Sequence, residues 1–211
     1  MVEVYIADTE CIKDEVYAEI LFNSLNHIRQ DKILKNKNAQ DKLRSLVAGC
    51  LLKYVIEQHG MEYFKCEFEV EESGYEKIKS TDCYFSLSHS GEYCICAWSD
   101  VLIGVDIECI NRFSGQKLDN LISRIMTDKE KNIYAKCESN IKDRYFAQVW
   151  TRKEAYAKAV KRGIAMDLSS IETNCDELFF TYTCVSGYCI SVASKEKLDK
   201  SDIVFRTVNR F

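Results

Sequence analysis

Three short stretches of this 211-residue chain bring together side chains that could handle a charged substrate. The first is WTRKEAYAKA, residues 150–159, which reads as one helix carrying Lys153, Glu154 and Lys158. The second is GVDIE, residues 104–108, in which Asp106 and Glu108 alternate with Val105 and Ile107 along a strand. Residues i and i+2 of a strand share a face about 6.6 Å apart, so both acids point the same way while the apolar pair anchors the other side. Two neighbouring carboxylates raise each other's pKa unless positive charge intervenes, and a hard cation with oxygen ligands relieves them. Mg²⁺ commonly takes one or two carboxylates together with phosphate and water. The third stretch is FSLSHSGEY, residues 85–93, where Ser88, His89 and turn amides offer donors for a phosphate.

Each stretch alone also has a structural explanation. GVDIE could be an exposed acidic strand face paired with lysines. Glu154 and Lys158 stand at i,i+4, and an exposed helical pair of that kind contributes only about 0.3–0.5 kcal/mol, so stability gives little reason for these residue types. Ser88 and Ser90 could simply end a strand.

The positioning elements follow from periodicity. Residues 18–28 and 41–57 carry apolar residues at helical spacing, the second with Leu43, Leu46, Val47, Leu51 and Tyr54 on one side. Strands are predicted at 84–87, 93–98 and 102–107, with a tight turn at Ser90-Gly91-Glu92. Helices follow at 127–137, opened by Thr127 and Glu130 at capping-box spacing, and at 143–160. The tail returns to strands at 178–185, 188–193 and 203–208. This order predicts an α+β fold of two similar halves, residues 1–101 and 102–211, meeting near Asp100.

Composition narrows the classes. With 46% hydrophobic and 29% charged residues the chain reads as an ordinary globular protein with a sizeable core. A net charge of −4 gives no general case for nucleic acid, so phosphate binding must be local. No apolar run approaches the roughly 20 residues that span a bilayer, and residues 1–10 carry Glu3, Asp8 and Glu10 where a signal peptide would be basic and then apolar. A cytoplasmic protein with no membrane partner is expected. The eleven cysteines include no CxxC pair, and Cys94 and Cys96 have strand spacing that suits a zinc knuckle poorly; reduced thiols are expected. There is no proline to mark a linker.

In order and spacing, FSLSHS, GVDIE and FAQVWTRKEAYAKA together resemble the Sfp-type 4'-phosphopantetheinyl transferases over residues 29–163. The resemblance implies transfer of the phosphopantetheine arm of coenzyme A to a serine hydroxyl of an acyl, peptidyl or polyketide carrier protein. It also implies Mg²⁺, release of adenosine 3',5'-bisphosphate, and a monomer built as a pseudo-dimer with the coenzyme between its halves. Asp106, Glu108 and Glu154 match the family's metal ligands, and His89 its phosphate-contacting histidine. Lys153 and Lys158 match basic positions of the signature helix. Arg44 resembles the arginine near the adenine and 3'-phosphate, and Arg29 and Lys32 match basic residues that help hold that phosphate. Glu154 and Lys158 are the expected catalytic pair. Cys50 and Asp167 depart from the pattern, the latter standing where proline is frequent after the Gly163-Ile164 turn. A Mg²⁺-dependent coenzyme A pyrophosphohydrolase and a non-catalytic coenzyme A-binding protein are the alternatives.

Overall fold

Side chains that satisfy free backbone N–H groups decide where the helices begin. Asp14 accepts from the Tyr17 amide at 2.7 Å and opens α1, Glu15–Asn23. Asn26 accepts from the Arg29 amide and opens α2, His27–Lys35. The single helix expected over 18–28 is therefore two, because Asn26 offers the chain a cap where a continuous helix would need an interior residue. Asn38 caps α3, Ala39–Gln58. In the computed structural model described here, covering all residues except 13, 73, 113–114, 162–165, 174–178, 184–186, 195 and 197, the remaining helices are α4, Gly115–Ile125, α5, Asp128–Lys136, and α6, Ser139–Ala159. The Thr127/Glu130 capping box forms in both directions. The Gly163-Ile164 turn and parts of the strand expected at 178–185 lie outside the described residues.

Nine strands are described: β1 Val2–Asp8, β2 Phe68–Val70, β3 Glu76–Ile78, β4 Tyr84–Ser90, β5 Tyr93–Ser99, β6 Ile103–Cys109, β7 Phe179–Tyr182, β8 Tyr188–Ser194 and β9 Ile203–Val208. One sheet has the order β4-β5-β1-β9, another β6-β8-β7, and β2 pairs with β3. Periodicity did not reveal β1, since Val2, Val4 and Ile6 face one core and Tyr5 and Ala7 another, which blurs the alternation.

The fold is α+β. Helices α1–α3 cover one face of the first sheet, and that sheet's other face packs Val2, Val4, Ile6, Ile95 and Ala97 against Ile103, Val105, Ile107, Ile190 and Val192 of the second sheet. Helix α6 lies on the far side of the second sheet, with Ala155 and Ala159 against Ala193. One long helix thus lies on each of the two sheets, α3 on the first and α6 on the second, and the sheets meet face to face. The last strand departs from a division at residue 102: β9 runs parallel beside β1 in the first sheet, with Val4 opposite Phe205. Hydrogen bonding along an otherwise open edge accounts for that crossing.

Candidate active site

Helix α6 can reach the acids of β6 because the strand presents no side chain beneath it at Gly104. A Cβ there would lie 1.9 Å from the Ala155 carbonyl oxygen and 2.6 Å from the Ala159 nitrogen. Gly104, Asp106 and Glu108 share the helix-facing side of β6, while Val105 and Ile107 are fully buried opposite. The acidic face is buried as well, with Asp106 5% and Glu108 6% exposed. The exposed acidic strand is thereby excluded.

Every second residue of β4 is a serine, and each ties the strand to β6. The hydroxyls of Ser86, Ser88 and Ser90 accept from the amides of Val105, Ile107 and Cys109 at 3.0, 3.4 and 3.1 Å. Two of them also donate onward, Ser88 to Asp106 Oδ1 at 2.7 Å and Ser90 to Glu108 Oε2 at 2.6 Å. The Ser88 hydroxyl, expected to meet a phosphate, therefore orients a carboxylate instead.

From α6, Lys158 Nζ donates to Asp106 Oδ1 at 2.8 Å and to the Val105 carbonyl at 3.0 Å. It does not form the helical i,i+4 pair with Glu154 that its spacing allows. Glu154 is half-buried and makes no hydrogen bond or ion pair among the described residues. Burial and then the charge of Asp106 raise its pKa, against the pull of Lys158 and with a further push from Glu108. The Glu108 carboxyl is also raised, by burial and by Asp106, although Ser90 and Arg112 oppose the shift. Arg112 Nη1 reaches both Glu108 oxygens at 2.6 Å.

His89 stands solvent-accessible at the rim of this region. The protein packed around it, then the charges of Arg44 and Lys158, hold its imidazole below the usual value. A cavity of about 450 Å³ connects these groups, lined by Ser88, His89, Asp106, Glu108 and Lys158, and by Arg29 and Lys32 from α2. Arg29 and Lys32 both bind Glu76 of β3, at 2.7 and 2.6 Å. Arg44 lies beside His89, where it donates to the Gly91 carbonyl and pairs with Asp41 at 2.5 Å.

Lys153 does not reach the cavity. Its fully buried ammonium pairs with Glu130 at 2.7 Å and donates to the carbonyls of Ile125 and Leu168. Helical geometry separates it from Glu154 by about 100°, so the phosphate role expected of it gives way to one of fastening α6 to α5 and its flanking loops.

The motifs imply a divalent cation, and the oxygen donors near Asp106 decide how it could be held. Among the described residues, no three His, Cys, Asp or Glu side chains stand together as a ready metal cage. Asp106 Oδ2 is nevertheless buried without a hydrogen-bond partner, an expensive state for a carboxylate oxygen, and Glu154 is free. Two hard oxygen donors of this kind suit Mg²⁺, which completes its shell with water and phosphate. Glu108, held by Ser90 and Arg112, is not free to ligate as it stands.

Residues 102–187, which carry Asp106, Glu108, Glu154 and Lys158, match the model of the 4'-phosphopantetheinyl transferase superfamily. The chain is 26% identical to the 4'-phosphopantetheinyl transferase gsp of Aneurinibacillus migulanus over 172 residues, 81% of this chain and 70% of the relative. It is 28% identical to the transferase Sfp of Bacillus subtilis over 144 residues, 67% of this chain and 62% of that one. Over residues 102–187 the chain is thus similar to the 4'-phosphopantetheinyl transferase superfamily. Among solved structures, a holo-(acyl-carrier-protein) synthase from Bacillus anthracis in complex with coenzyme A is 25% identical, covering 45% of this chain and 97% of that one with a TM-score of 0.37. The superfamily segment contains the carboxylate strand β6 and the signature helix, while His89, Arg29 and Lys32 lie outside it. Ser86, Ser90 and Glu76 were not anticipated. The serine spacing in FSLSHS was a usable signal for the first two, whereas nothing local connects Glu76 to α2.

Proposed function

We propose that this protein transfers the 4'-phosphopantetheine arm of coenzyme A to a serine hydroxyl of a carrier protein, releasing adenosine 3',5'-bisphosphate. The single observation that carries the reading is the convergence of Asp106, Lys158 and His89 around one cavity, with the Glu154 carboxylate near enough to feel the charges of Asp106 and Lys158. Free or orphaned carboxylate oxygens beside a lysine and an imidazole suit a metal-bound pyrophosphate.

In the reaction the serine oxygen forms a bond to the phosphorus that bears the pantetheine, and the bond from that phosphorus to the nucleotide phosphate oxygen breaks. The serine loses a proton and the leaving phosphate gains negative charge. Asp106 and Glu154 would hold the cation, which when bound neutralises charge on both phosphates. Lys158, fixed against Asp106 and the Val105 carbonyl, places a positive charge at the same wall without reorganising. His89 donates an N–H to a phosphate oxygen. Glu154 takes the serine proton as general base. Arg112 and Ser90 keep Glu108 fixed behind this group.

The carrier dock is expected to be basic and apolar, since carriers of this class are acidic. Incubation with coenzyme A, Mg²⁺ and a panel of acyl, peptidyl and polyketide carriers tests the reading by mass. Gain of one phosphopantetheine arm on a carrier serine is the expected result. Coenzyme cleavage with no carrier present would establish a pyrophosphohydrolase instead, and tight binding that ignores Mg²⁺ removal would establish a binding protein. The protein is proposed to act as a monomer in the cytoplasm; among the described residues no helix is long and apolar enough to cross a membrane.

A further inference from the structure

Around the cavity, the cations that a third phosphate would seek already have acids of the chain as partners. Lys158 is on Asp106, Arg44 on Asp41, and Lys161 near Glu71 at 3.6 Å with its ammonium over the Tyr75 ring. The most telling case is Glu76. Its side chain is 4% exposed, and one oxygen accepts from both Arg29 Nη2 and Lys32 Nζ. It follows that the carboxylate takes the place of an anion between these two cations. A phosphate dianion brought there meets a buried negative charge that cannot turn to solvent without unseating β3, whose Ile78 is in the core.

The same wall leaves two polar atoms without a hydrogen-bond partner. They are Glu76 Oε1, an acceptor, and Arg29 Nε, a donor, both buried. A hydroxyl group can donate to a carboxylate oxygen and accept from a guanidinium N–H, whereas a phosphate dianion can only accept. Resting on the transferase reading above, we propose that Glu76 makes this wall a hydroxyl site, so that the enzyme takes 3'-dephospho-coenzyme A, with its free ribose 3'-hydroxyl, at least as well as coenzyme A. The chemistry at the other wall is unchanged. The serine oxygen bonds to the pantetheine-bearing phosphorus, its proton passes to Glu154, and AMP departs with the electron pair of the broken P–O bond.

The test compares the two donors in kcat/KM with carrier and Mg²⁺, and compares AMP with adenosine 3',5'-bisphosphate in calorimetric binding without carrier. The wild-type protein is expected to use the dephospho donor at least as well and to bind AMP at least as tightly. Glu76→Gln, which removes the internal anion, should shift both ratios by about tenfold or more toward the 3'-phosphorylated member. A wild-type preference for coenzyme A of about 100-fold, or ratios that Glu76→Gln leaves unchanged, overturns the specificity proposal while leaving transfer standing. Failure to bind either nucleotide and to use either donor overturns the transferase reading and this proposal with it. If Glu76→Gln does not fold, the wild-type ratios decide alone.

Discussion

The Ser88 hydroxyl lies 2.7 Å from Asp106 Oδ1 and 3.4 Å from the Ile107 amide, so one side chain of β4 both seams that strand to β6 and aims an acid of β6. Its replacement by alanine takes this acceptor from the buried Ile107 amide and leaves Asp106 Oδ1 with Lys158 as its remaining donor. Ser88→Ala is expected to cost about 1–3 kcal/mol in urea unfolding. Transfer activity in the folded variant should fall further than that of Ser86→Ala, whose hydroxyl has no carboxylate partner among the hydrogen bonds described. Equal losses in the two variants would reduce Ser88 to a seam residue.

Glu154 is the free carboxylate of the site, and its exchange for glutamine keeps the shape while removing the charge. Glu154→Gln is expected to lower kcat by about 10²–10⁴-fold, the range for a lost general base, and to weaken coenzyme binding by much less. Single-turnover transfer and calorimetry together check this. Unchanged transfer sinks the assignment.

Lys153 sits next to Glu154 in sequence yet faces the core. Lys153→Met strips Glu130 of its buried cation and is expected to destabilise the fold by about 3–5 kcal/mol, read from urea unfolding. At a temperature where the variant is folded, nucleotide affinity should stay within about threefold of the parent, a difference of under 1 kcal/mol. A large selective loss of affinity would return Lys153 to the phosphate site.

Gly104 is where α6 meets β6. Gly104→Ala must separate the helix from the strand, since the added carbon would sit 1.9 Å from the Ala155 carbonyl oxygen. The expected loss is about 3 kcal/mol, the upper part of the overpacking range, accompanied by weaker activity because Glu154 and Lys158 move with the helix. Thermal unfolding and a metal titration check the two effects separately.

His89 gives the pH dependence a direction. Its folded-state pKa is depressed by the protein packed around the ring and by the charges of Arg44 and Lys158. Its contribution to stability is therefore present above the ordinary imidazole value of about 6.5 and is lost as pH falls through the lowered one. A bound phosphate favours the protonated ring, so nucleotide affinity should rise as pH falls across that window. His89→Gln is expected to remove this component from both melting and binding curves, the titration of the phosphate itself being common to parent and variant.

Local pattern made much of this protein legible. Alternation along GVDIE placed Val105 and Ile107 in the core and Asp106 with Glu108 on one face, because a strand's period of two is a property of the backbone alone. Capping chemistry at Thr127 and Glu130 located α5 because a cap is set by neighbouring residues. Tertiary structure decided what each of these groups meets. Helix spacing allowed Lys158 to pair with Glu154, but the close approach at Gly104 gave it Asp106; adjacency suggested a shared role for Lys153 and Glu154, but their faces diverge. The Glu76 carboxylate reaches Arg29 from 47 residues away, and β9 crosses to β1 from the far end of the chain. Ion pairing and strand addition at such separations depend on where packed layers bring charges and edges, which no local periodicity encodes.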